Sequence, residues 1–150
     1  MTTNTALQSV ATRLFPALAG SQVTYLAEKN LFLTPAFSTP AGNSYLRTIR
    51  LTDHLIVCCD VGIGYSITFL NGITLYAWDG QKKTMIGRKQ WGGCGNWVGY
   101  SEAFVREQSI IILQDYLKGQ MKMSGQCVCD TDVANFARQL VDNDTCRLLQ

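Results

Sequence analysis

The chain has 150 residues, of which 47% are hydrophobic and only 16% are charged, with a formal net charge of +2. That length suits one domain with a real core and excludes two ordinary ones, and the small net charge gives no argument for nucleic acid or an anionic membrane by bulk electrostatics. Typical soluble domains are about 25% charged, so the shortfall points to surface hidden in a homo-oligomer or against a protein partner.

The first hundred residues hold eight cations against four acids, and the last fifty hold five against seven, an asymmetry without a basic tail. The opening MTTNTALQSVATRLFPALAG has no cationic start followed by a continuous apolar run, so it does not read as a signal peptide. No stretch reaches the roughly 18 apolar residues of a membrane-crossing helix. A soluble, cytoplasmic protein with no membrane attachment is the expectation. Six cysteines would suit a secreted disulfide framework, but a domain of this size needs no staples, and Cys58 and Cys59 are adjacent in an apolar run. Neighbours on a strand face opposite sides, so the pair reads as two separate buried thiols in a reduced core.

Residues 5–15 place Leu7, Val10, Ala11 and Leu14 at helical spacing until Pro16 interrupts, predicting a short amphipathic helix with a core-facing stripe. Pro16, Pro35 and Pro40 all fall early, and 34–44 (TPAFSTPAGNS) reads as an irregular segment. Over 45–91 strands alternate with turns. YLRTIRL is followed by a TDH turn, the buried run LIVCC and a VGIG break. YSITFL and ITLYAW then flank an Asn71-Gly72 hairpin turn, and KKTMIGRKQW follows Asp79-Gly80. Strands without intervening helices predict an antiparallel meander of four or five.

Ser101 is placed to cap a helix from Glu102, with Tyr100 and Val105 set for a hydrophobic staple and Gly119 as the stop after Lys118. The Ile110-Ile111-Ile112-Leu113 run is apolar on more than one side, which asks for cover by the sheet and by a second element or subunit. A last helix opens at Asp130 or Thr131 and stripes Val133, Phe136, Ala137, Leu140 and Val141. The fold class is therefore α+β in a single domain: an N-terminal helix, a four- to five-stranded antiparallel meander, and two C-terminal helices packing on it.

The most distinctive stretch is KQWGGCGNWVGYSE, 89–102. Gly93, Gly95 and Gly99 give G-x-G-x-x-x-G, one residue longer than the dinucleotide fingerprint, and the strand before it closes a meander rather than a parallel βαβ unit. Glycine backbone running into a helix N-terminus suits a small anion or phosphate. Its ligand-binding residues would be Arg88, Lys89, Gly93, Gly95, Trp97 and Ser101. Cys94 is a candidate thiol nucleophile activated by the helix start, with His54, the chain's only histidine, as its base. The order differs from the papain-like cysteine proteases, where the nucleophile directly precedes the tryptophan; Asn96 does so here. His54, in its TDH turn, is expected to be solvent-exposed.

Cys127 and Cys129 would share a face of a strand, which makes them candidate metal ligands. Structural zinc normally shows two C-x(2–4)-C pairs, however, and Asp130 is better used as a helix cap. No cofactor is expected. Lys82, Lys83, Arg88 and Lys89 form an acid-free basic strand, 82–91, near Trp78, Trp91 and Trp97. Such a composition suits nucleic acid, with cations for phosphate and rings for unpaired bases. Lys83 and Arg88 differ by an odd number, so a regular strand turns them to opposite faces, and only a bulge would gather the cations into one patch. No paired carboxylates suggest hydrolysis. The sequence favours a small non-catalytic binding or assembly domain acting through a protein interface. A Cys94-dependent thiol enzyme, or a nucleic-acid- or anion-binding protein using strand 82–91 and loop 92–99, are the alternatives.

Overall fold

The computed structural model describes residues 3–14, 33–39, 42–52, 54–64, 67–78, 83–91 and 98–142. Its elements are α1 (Thr3–Leu14), β1 (Leu33–Thr39), β2 (Gly42–Thr52), β3 (Leu55–Gly64), β4 (Ile67–Trp78), β5 (Lys83–Gln90), α2 (Glu102–Met123) and α3 (Asp130–Asp142). The strands form one antiparallel sheet in chain order, β1-β2-β3-β4-β5. The α+β meander expected from short apolar runs separated by turn residues is thus the fold.

Several local expectations are revised. The described residues of segment 34–44 are strand, not irregular. They form β1 and the start of β2, paired from Leu33↔Arg47 to Thr39↔Gly42 with a shift between Pro35 and Phe37, and positions 40 and 41 lie outside the described residues. An edge strand tolerates Pro35, because only one of its sides must donate to the ladder. Asn71-Gly72 does not turn a hairpin, since β4 runs straight through it. Gly72 pairs with Asp60 and Leu70 with Val61, which leaves Asn71 as the extra residue of a β-bulge. The VGIG sequence likewise continues β3.

Gly119 does not stop α2, which runs on to Met123. The end comes at Ser124, with Gly125 at φ +74°. The Gly125 N–H donates to the Lys122 carbonyl and the Gln126 N–H to the Met121 carbonyl, each at 3.0 Å. This pair of reversed bonds is a Schellman end, and its left-handed position is what a glycine supplies.

Alternation along the strands sorts the sheet into two faces. Leu55, Val57, Cys59 and Val61 of β3, with Ile73, Leu75 and Ala77 of β4, are buried in the core beneath the helices. α2 lies against β4 and β5, and α1 and α3 pack on α2 and on each other. The expected stripes make these contacts: Leu7, Val10 and Ala11 from α1, and Val133, Phe136, Ala137, Leu140 and Val141 from α3, are all buried. The side chain of Leu14 lies outside the described residues.

Ile110, Ile112 and Leu113 of the apolar run in α2 are buried within one chain, where the helix packs on the sheet and on α1 and α3, while Ile111 is 37% exposed. Glycine at position 87 admits the helix, because a Cβ there would stand 2.8 Å from Ile112 Cγ2. At the surface Arg138 holds Glu107 through two bonds of 3.0 and 2.9 Å, and Arg106 pairs with Asp142, joining α3 to α2. Among the described residues no helix is long and apolar enough to cross a membrane.

Candidate functional site

The opposite face of the sheet carries none of the described helices, and its chemistry is set by one irregularity. β5 pairs Lys83↔Trp78, Thr84↔Ala77 and Met85↔Tyr76, and then Gly87↔Leu75 and Arg88↔Thr74. Ile86 is the extra residue of a bulge, so the period-two alternation is broken once. Lys83 and Arg88 therefore lie on the same face, with Trp78 and Thr74 of β4. Arg50 of β2, opposite Ile56, is exposed on that face as well. Lys89 turns the other way, and its Nζ donates to Gln108 Oε1 of α2 at 2.9 Å.

Between these cations stands Tyr76, half-buried, with the Lys83 ammonium 4.7 Å from its ring centroid. Met85, its cross-strand partner, is 58% exposed. Cys58 is half-buried on the same face, and burial pushes its thiol up while the Lys83 charge pulls it back. Asp60 is the acid of this face among the described residues, and its Oδ1 is enclosed without a hydrogen-bond partner.

Of the tryptophans expected beside the cations, the two described ones are not its stacking surface. Trp78 is 6% exposed, and Ile56, which pairs with Tyr76 on one side and Arg50 on the other, is 1% exposed. Trp91 packs on Phe104 of α2 at 5.4 Å between ring centroids. Sequence reasoning passed over Tyr76, although it shares a face with Trp78 two residues away and lies across from the basic strand.

Gly93, Cys94, Gly95 and Trp97, like Lys82, lie outside the described residues. The residues bracketing that loop are well defined. The Trp91 N–H donates to the Asn71 carbonyl at 2.7 Å, the Leu70 N–H to the Val98 carbonyl at 2.7 Å, and the Tyr100 N–H to the Thr68 carbonyl at 3.3 Å. The chain leaves the edge of β4 at Trp91 and rejoins it at Val98, taking the place β5 has vacated. Ser101 then caps α2, its Oγ accepting from the Phe104 N–H at 3.1 Å. With that N–H satisfied and the Glu102 carboxylate in the first turn, the helix start supplies its own negative charge. Arg88, Lys89 and Ser101 are thus directed to three separate places and do not converge on one anion.

His54 is in a turn, as expected, but is buried at 1% exposure instead of lying in solvent. Its N–H donates to Thr52 Oγ1 at 3.1 Å and its carbonyl accepts from the Trp78 N–H at 2.8 Å, which clamps the turn to the end of β4. Cys94, the other member of the candidate dyad, lies outside the described residues.

No protein-family model, curated protein or solved structure matches the chain.

Cys127 and Cys129 are exposed free thiols in the connection between α2 and α3 rather than on a strand. The Cys129 carbonyl accepts from the Val133 N–H at 3.1 Å to open α3, and Asp130 pairs with Lys118 Nζ at 2.7 Å. Among the described residues no three His, Cys, Asp or Glu side chains gather where a metal ion could be held.

One polar cluster on the helix side was not singled out from the sequence. Arg47 lies on the same face of β2 as the apolar Ile49 and Leu51. Its Cζ is 5.5 Å from the Tyr100 ring centroid, and its Nη2 is 3.6 Å from Glu102 Oε1. Burial raises the Tyr100 hydroxyl's pKa, against the pull of Arg47, and carries the neighbouring Cys59 thiol from an ordinary 9.0 up to about 12. This thiol is protonated at neutral pH and inert.

Proposed function

We propose that the protein is a non-catalytic binding domain, that its working surface is the face of the sheet opposite the described helices (the helix-free face), and that its partner carries repeated negative charge. The observation that supports this reading is the bulge at Ile86, which turns Lys83 and Arg88 to the face that holds Arg50 and Tyr76. Self-association through the same face would set these cations against their own copies across a two-fold axis, and like charges opposed at an interface repel. An anionic partner suits the face better than a second copy.

Retention on immobilised heparin tests the reading. The double variant Lys83→Glu/Arg88→Glu should elute at much lower salt than wild type. Arg13→Glu/Lys122→Glu changes the net charge equally on the exposed surface of α1 and α2, and should elute close to wild type. Equal elution of the two double variants, or no retention of wild type, rejects the reading.

A further inference from the structure

We infer that the anionic partner is a single-stranded nucleic acid, with an unpaired base stacked on Tyr76 and its phosphates held by Lys83 and Arg88. This rests on the reading of the helix-free face given above. A sheet face of several strands is too broad to enter a duplex groove, which admits one helix or a two-stranded ribbon. The flat sides of unpaired bases are the nucleic-acid surface that such a face can reach. Tyr76 supplies a half-buried ring at the centre, and exposed Met85 beside it supplies a soft apolar shoulder for a base or sugar.

Lys83 now rests its ammonium on the Tyr76 ring. A stacked base is worth more on such a ring than an exposed cation, so the base displaces the ammonium, which turns to the phosphate. Lys83 and Arg88 face Trp78 and Thr74, four positions apart on β4 and so about 13 Å at the usual strand rise. A strand rising ~3.4 Å per nucleotide covers that distance in about four nucleotides. Asp60 is the one acid of the face among the described residues, against the three cations Arg50, Lys83 and Arg88.

The test is fluorescence anisotropy of a labelled mixed-sequence oligonucleotide of about 12 nucleotides, as DNA and as RNA, beside the matching duplex. Wild type should bind at least one single strand more tightly than the duplex. Tyr76→Leu, which fills the position without a ring face, should weaken that binding by about tenfold, whereas Tyr76→Phe should stay close to wild type. Thermal melts by circular dichroism show whether the Leu variant is folded, and a drop in affinity shared equally by Phe and Leu overturns the stacking role. Duplex binding as tight as single-strand binding, or unchanged affinity in a folded Leu variant, also overturns the inference. If heparin retention still depends on Lys83 and Arg88 in those cases, the face binds an anion of another class, such as an acidic protein segment. Loss of that dependence instead removes the underlying reading.

Discussion

Gly87 and Ile112 meet where α2 crosses β5, and a Cβ at position 87 would stand 2.8 Å from Ile112 Cγ2. The neighbouring atom is a buried, stiff β-branched methyl, so the helix itself would have to give. Gly87→Val should therefore cost about 1–3 kcal/mol through overpacking. Urea titration should show a lower midpoint with an unchanged slope. Adding Ile112→Ala should recover part of the loss, because the clashing methyl is gone.

The two glycines near the end of α2 should respond in opposite directions. Gly119 is exposed inside the helix with nothing within 4 Å of an added Cβ, so Gly119→Ala should stabilise by roughly 0.5–1 kcal/mol. Gly125 has φ +74°, so Gly125→Ala should destabilise by about 1–2 kcal/mol. A helix ending at Gly119 would reverse the order of the two melting shifts.

Thiol chemistry should follow burial. Cys127 and Cys129 are exposed, Cys58 is half-buried, and Cys59 is buried; among these four described cysteines, mass spectrometry after brief iodoacetamide treatment should find label on Cys127 and Cys129 first and on Cys59 last. The raised Cys59 value also sets a pH dependence. The folded thiol holds its proton to about 12 while the unfolded one loses it near 9.0. Its contribution to stability is fully present below 9.0 and is lost as pH rises toward 12, at no more than ~1.4 kcal/mol per pH unit. Cys59→Ala should flatten this alkaline decline in urea midpoints relative to wild type.

Most of the fold is written in local patterns. The stripes of α1 and α3 and the Ser101 cap depend on residues three and four apart, and each can be read from its own segment. Asn71-Gly72 could not be, because a hairpin turn and a β-bulge both use a glycine there, and pairing with Asp60 on β3 decides between them. The prolines hid β1 because its tolerance of Pro35 comes from its place at the sheet edge. The turn at His54 is fixed by a backbone bond from Trp78, far along the chain, which its own segment does not announce. The basic strand was legible as composition, but gathering Lys83 and Arg88 required the extra residue at Ile86, a property of the β4–β5 ladder. Arg47 was legible only as a cation at a core-facing position, and its partners Tyr100 and Glu102 come from the far side of the glycine-rich loop.

The most direct test of the central claim is lysine footprinting of the intact protein with and without heparin, read as acetylation at each site by mass spectrometry. Lys83, on the helix-free face, should lose reactivity when heparin is bound, while Lys122, exposed on α2, should react as before. Protection of Lys122 with Lys83 unchanged would contradict the account, as would binding that protects neither.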